Sequence, residues 1–103
     1  MKFTHFGTEQ NGSLEFDRYA SNNNLAVQLI CDDGIPYATI STNVEGVQLA
    51  SDEFIAKTYS ENKGLVEQFI ESGCFEDTGR VATVGYADSQ PILRAVTLPV
   101  GVA

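Results

Sequence analysis

Few residues in this chain have the type and spacing to do chemistry. Asp77-Thr78-Gly79 matches half of a two-aspartate hydrolase site, in which two carboxyls share a proton across a dimer axis and one is raised in pKa by the other. Such a dyad is buried by apolar residues before the triplet. Here Phe75-Glu76 precede it and Arg80 follows, so a turn built on Asp and Gly explains the triplet better. His5 is the single histidine. A nucleophilic triad would have to use it with Cys31, Cys74 or a serine, and no G-x-S-x-G supports that. Asp32-Asp33-Gly34 is followed by Ile35-Pro36-Tyr37-Ala38, which lacks the alternating oxygen ligands of a calcium loop. Cys31 and Cys74 form no C-x-x-C pair, so no zinc site is expected, and two free thiols are. No glycine-rich phosphate loop is present. The expectation is no enzyme, no metal and no cofactor.

The carboxylates remain. The chain has 103 residues, with 14 Asp and Glu against 6 Lys and Arg, for a net charge of −8. So few cations disfavour direct binding to a phosphate backbone. The longest apolar runs are far below the ~20 residues of a membrane span. Met1-Lys2-Phe3-Thr4-His5-Phe6 lacks the apolar run of a signal peptide, which leads to a cytoplasmic expectation. Segment 32–77 holds ten carboxylates against Lys57 and Lys63, a net of −8, and so carries the whole excess. Carboxylates on one surface can occupy a basic groove in place of nucleic acid. Asp52, Glu53, Glu61, Glu67, Glu71, Glu76 and Asp77 are the candidate partner-binding residues.

Positioning them falls to a small set of elements. Strands are expected over residues 2–6, 14–19, 25–32 and 37–42, with a shorter one over 53–59. Gln10-Asn11-Gly12-Ser13 reads as the first turn, because Asn-Gly supplies positive φ. Leu25, Val27, Leu29 and Cys31 alternate with Ala26, Gln28 and Ile30, which marks a central strand. One helix is expected over 61–72: Leu65 with Phe69 and Val66 with Ile70 make an apolar stripe, and Lys63, Glu67 and Glu71 lie opposite. Ser60 or Asn62 is its N-cap and Gly73 its end. After a turn at 76–79, strands over 80–87 and 92–98 close the chain, joined by Asp88-Ser89-Gln90-Pro91. The fold class is α+β: one domain, with an antiparallel sheet of about six strands and one amphipathic helix packed on one face.

Several motifs carry a family likeness. Asn24 to Leu29, the stretch Asp33-Gly34-Ile35-Pro36-Tyr37 through Asn43, the helix Val66 to Gly73, Thr78-Gly79 and Gly85-Tyr86 together resemble a small bacterial family of unknown function carried by plasmids, integrative elements and phages. The resemblance implies no catalytic residue. It implies a counter-defence setting, of the anti-CRISPR or anti-restriction type. The leading expectation is therefore a non-enzymatic inhibitor that binds a basic host protein, such as a CRISPR–Cas effector or another DNA-binding enzyme, in the bacterial cytoplasm. The first alternative is a small adaptor or homodimeric module, and the second an aspartic-type hydrolase using Asp77.

Overall fold

The computed structural model describes residues 1–85, 87–99 and 102, with the backbone alone at Ala87 and Asp88. Tyr86, one of the resemblance residues, lies outside the described residues. The chain is mostly antiparallel strand with one short helix, as expected of an α+β domain. It differs from the expected single sheet: two four-stranded sheets are present, ordered β1-β2-β3-β4 and β5-β6-β8-β7. The first contains β1 (Lys2–His5), β2 (Thr8–Arg18), β3 (Leu25–Cys31) and β4 (Pro36–Thr39). The second contains β5 (Ser41–Thr42), β6 (Glu53–Ala56), β7 (Phe75–Val84) and β8 (Ala87–Ala95).

Ile40 joins the sheets. Its N–H donates to Val27 O at 2.8 Å in the first sheet, and its carbonyl accepts the Lys57 N–H at 2.7 Å in the second. The expected strand over 37–42 therefore changes sheets in mid-course, and Ile40 is fully buried at the corner. Ser41 secures the bend: its hydroxyl oxygen accepts the Val27 N–H at 2.9 Å and lies 2.8 Å from the Tyr19 hydroxyl. Between the sheets lies the main core, with Phe3, Leu25, Val27, Leu29, Phe54 and Leu93 among its members. A second cluster of Ile55, Ala82, Val84 and Ile92 occupies the other face of the second sheet, under Val44, Val47 and Leu49.

The first turn is not where Asn-Gly placed it. β2 runs straight through Asn11 and Gly12, and the chain reverses at Phe6 and Gly7, with φ of 52° and 77°. Two successive positive φ values give a turn whose twist matches its strands. Phe6 is 79% exposed there and its ring stacks on His5 at 4.0 Å. Gly12 is required for another reason: a Cβ on it would lie 2.5 Å from the Ile30 carbonyl oxygen. A glycine inside a strand often marks such a close approach of backbones. The turn at Asp32–Gly34 does form, with the Gly34 N–H donating to Cys31 O at 2.8 Å.

The helix is shorter than its apolar stripe suggested. α1 spans Val66–Glu71 only, preceded by a 3-10 turn at Ser60–Asn62. Gly64, at φ 78°, breaks the path between them. Neither Ser60 nor Asn62 caps α1. Asn62 is instead fully buried and its side-chain N–H groups donate to Thr39 O at 2.6 Å and Lys57 O at 3.0 Å. The end does behave as expected: Gly73 has φ 85°. The Gly73 N–H donates to Ile70 O at 3.1 Å, and the Cys74 N–H to Phe69 O at 2.9 Å. This paired closure satisfies two carbonyls that a helix end leaves open.

Two expectations in the last third change. The expected turn at 76–79 is a bulge within β7: pairing jumps from Asp77↔Leu93 to Val81↔Pro91. The expected link at 88–91 is part of β8, which ends at Ala95 and not at 98. Pro91 is tolerated there because it sits beside that bulge.

Candidate functional site

Four of the seven candidate carboxylates, Asp52, Glu53, Glu61 and Glu76, are in ion pairs within the molecule. Glu53 of β6 and Glu76 of β7 both stand in register with Arg94 of β8, which lies between them. Arg94 bonds Glu76 at 2.9 Å and Asp52 at 3.4 Å. Glu76 first, and then Asp52, raises the Arg94 guanidinium above its ordinary value. Glu53 turns elsewhere: it accepts Arg80 Nη1 at 2.9 Å and the Ala50 N–H at 2.8 Å. Arg80 also donates to Gln48 O at 2.5 Å. Glu53 and Arg80 thus pin segment 43–52 across the outer face of the second sheet, over the second apolar cluster. With its side chain only 13% exposed, Glu53 is a structural residue.

Glu61 pairs with Lys57 at 2.7 Å. That hydrogen bond, then the Ser60 side chain, holds the Glu61 carboxyl at about 2, below its ordinary 4.5. A depressed carboxyl stabilises the fold above the unfolded value and ceases to do so as pH falls through the folded one. Glu61→Gln is therefore expected to lower the melting midpoint slightly at neutral pH. The difference from the parent should shrink between pH 4.5 and about 2. Thermal scans of both proteins across that range check it, and a gap that persists undiminished at pH 2 would contradict the assignment.

Glu67 and Glu71 stand opposite the apolar stripe, as its spacing implied. They lie on the solvent face of α1 while Leu65, Val66 and Phe69 are buried beneath. Neither is in an ion pair among the described residues. Asp77 is also exposed, and its Oδ1 accepts the Gly79 N–H at 2.9 Å in the bulge. That is the geometry of a local turn.

Two further carboxylates join these, from outside segment 32–77. Glu15 and Asp17 are exposed on the outer face of β2 and lack ion pairs among the described residues. They line a shallow cavity of about 370 Å³ with Gln28 and Thr39. The alternation of Leu14, Phe16 and Arg18 with Glu15 and Asp17 was a readable sign of that face. Of the six cations, Lys2, Lys57, Arg80 and Arg94 are in ion pairs, Arg18 donates to Val102 O at 2.9 Å, and Lys63 is exposed and in no ion pair among the described residues. Among the described residues, the carboxylates outside ion pairs are therefore Glu15, Asp17, Glu45, Glu67, Glu71 and Asp77, together with the turn residues Asp32 and Asp33.

Among the described residues no group of His, Cys, Asp and Glu is placed to hold a metal ion. Cys31 and Cys74 are free and half-buried. No helix of the described residues is long and apolar enough to cross a membrane. Comparison with protein-family models, with curated proteins and with solved structures finds no match.

Proposed function

We propose that this protein is a non-enzymatic binding module that docks through its unneutralised carboxylates on a basic, nucleic-acid-handling protein and competes with nucleic acid there. The observation that carries the reading is the pair Glu67 and Glu71, one helical turn apart and exposed, with no cation paired to them. Like charges at this spacing cost an isolated helix ~0.2–0.5 kcal/mol, in a helix that is only six residues long. A surface kept this way attracts a basic partner and speeds its encounter. CRISPR–Cas effectors and restriction enzymes have grooves of the required chemistry, and inhibition of one of them is the setting that the mobile-element resemblance implies.

The test is capture of partners from a defence-proficient bacterial lysate, with Glu67→Lys/Glu71→Lys in parallel. The expected partner binds DNA when free and loses DNA in the complex. Reversal of both charges is expected to weaken the complex about tenfold or more, mostly in association rate, with a further steep loss on raising salt. A complex indifferent to salt and to the double reversal would rule the reading out.

A further inference from the structure

Among the described residues, strand β2 has an open stretch of edge. The Asp32 N–H donates to Asn11 O and the Tyr19 N–H to Asn24 O, so the odd residues of β2 turn their backbone groups toward β3. The even ones turn the other way. Gly12 is taken by β1, through Gly12 N–H to Met1 O at 2.9 Å and the N-terminal ammonium to Gly12 O at 2.8 Å. Beyond Gly12 β1 has ended. The Arg18 N–H is taken by Asp17 Oδ1 at 2.8 Å. The outward N–H and C=O groups of Leu14 and Phe16 have no partner among the described residues.

A groove of about 260 Å³ lies along this edge, lined by Leu14, Phe16, Gly73, Cys74, Val96 and Thr97. Val96 is 45% exposed within it. The edge thus offers main-chain hydrogen bonds with an apolar slot on one face of the strand. On the other face stand the carboxylates of Glu15 and Asp17.

We propose that Leu14–Arg18 accepts an extended segment of another protein as an added strand, one in which apolar residues alternate with Lys or Arg. Cross-strand neighbours on each face then match: apolar side chains enter the slot beside Leu14 and Phe16, and cations meet Glu15 and Asp17. A second copy of this chain fits less well. β1 occupies the edge up to Gly12, so two-fold pairing of β2 with itself must centre on Glu15 or Phe16. Either register sets Glu15 opposite Glu15 or Asp17, and like charges directly opposite are destabilising. This mode goes beyond the acidic-surface reading, since it engages a different element and needs neither Glu67 nor Glu71.

The probe is a blocked octapeptide alternating Lys with Val, against the same peptide with Glu in place of Lys. The Lys peptide is expected to bind at least about tenfold more tightly, a difference of ~1.4 kcal/mol. It should slow amide exchange at Leu14 and Phe16. Val96→Arg, at an exposed position, is expected to cut its affinity about tenfold, while Glu67→Lys leaves it within about twofold. Equal binding of the two peptides, no binding at millimolar concentration, or protection elsewhere would overturn the proposal. Protection of Leu14 and Phe16 that appears with protein concentration alone would overturn it in favour of self-association. Because Glu67→Lys separates the two surfaces, failure here and failure of the acidic-surface reading give different results.

Discussion

Gly12→Ala is expected to destabilise the protein by about 3 kcal/mol or more, at the upper end of what overpacking costs. A Cβ at residue 12 would meet Ile30 O at 2.5 Å and the Phe3 ring at 3.2 Å. The aromatic ring can shift, but the carbonyl cannot withdraw freely. Ile30 is in register with Ser13, so moving its carbonyl loosens the β2–β3 ladder next to the site of insertion. Gly12 has no positive φ, so the expected loss is steric and not a matter of backbone conformation. Denaturant unfolding checks it, with Ser13→Ala as the neighbouring control on the exposed side, expected within ~0.5 kcal/mol of the parent. A Gly12→Ala protein as stable as the parent would mean that the two strands do not approach this closely.

Phe69→Ala is expected to cost ~3–5 kcal/mol. Phe69 is 1% exposed, and its ring lies 5.9 Å from Phe75 and 6.5 Å from Phe3. It therefore links α1 to an edge strand of each sheet. A helix of six residues with no side-chain N-cap has little stability of its own and is held by its buried face. Loss of the ring should release α1 before it disrupts the sheets. The expected result is a large fall in the unfolding midpoint together with early amide exchange over 65–73. A loss below about 1 kcal/mol would show that the helix is anchored elsewhere.

Much of the first sheet was legible. The double-sided apolar pattern of Leu25–Cys31 placed β3 in the interior, and Asp33-Gly34 with Pro36 fixed the turn and the start of β4. The helix stripe was read correctly, but its length was not. Periodicity counts apolar positions, and Gly64, which interrupts the path, stands outside the stripe. Asn-Gly at 11–12 misled because the same glycine that suits a turn also suits a close approach, and only the position of Ile30 decides between them. The division into two sheets was invisible, since it depends on Ile40 bonding to Val27 and Lys57. The candidate site was half legible for a similar reason. Arg94 neutralises Asp52 and Glu76 from 42 and 18 residues away, and Arg80 reaches Glu53 over 27. A count of charge along a segment does not see pairs of that range.

The helix also treats β1 in a particular way. Gln68 accepts the Thr4 N–H at 2.9 Å through its side-chain oxygen and donates to Thr4 O at 2.6 Å through its amide nitrogen. A single primary amide thus stands where one residue of a neighbouring strand would, and it saturates the free side of β1 at its centre. On β7 the bulge from Thr78 to Arg80 breaks the outer edge in another way. Two of the four sheet margins, β1 and β7, are thus plugged or bent. The run at Leu14 and Phe16 is bounded by β1 at Gly12 and by the engaged Arg18 N–H. It works as a gauge of length, suited to a short extended segment and not to a long one.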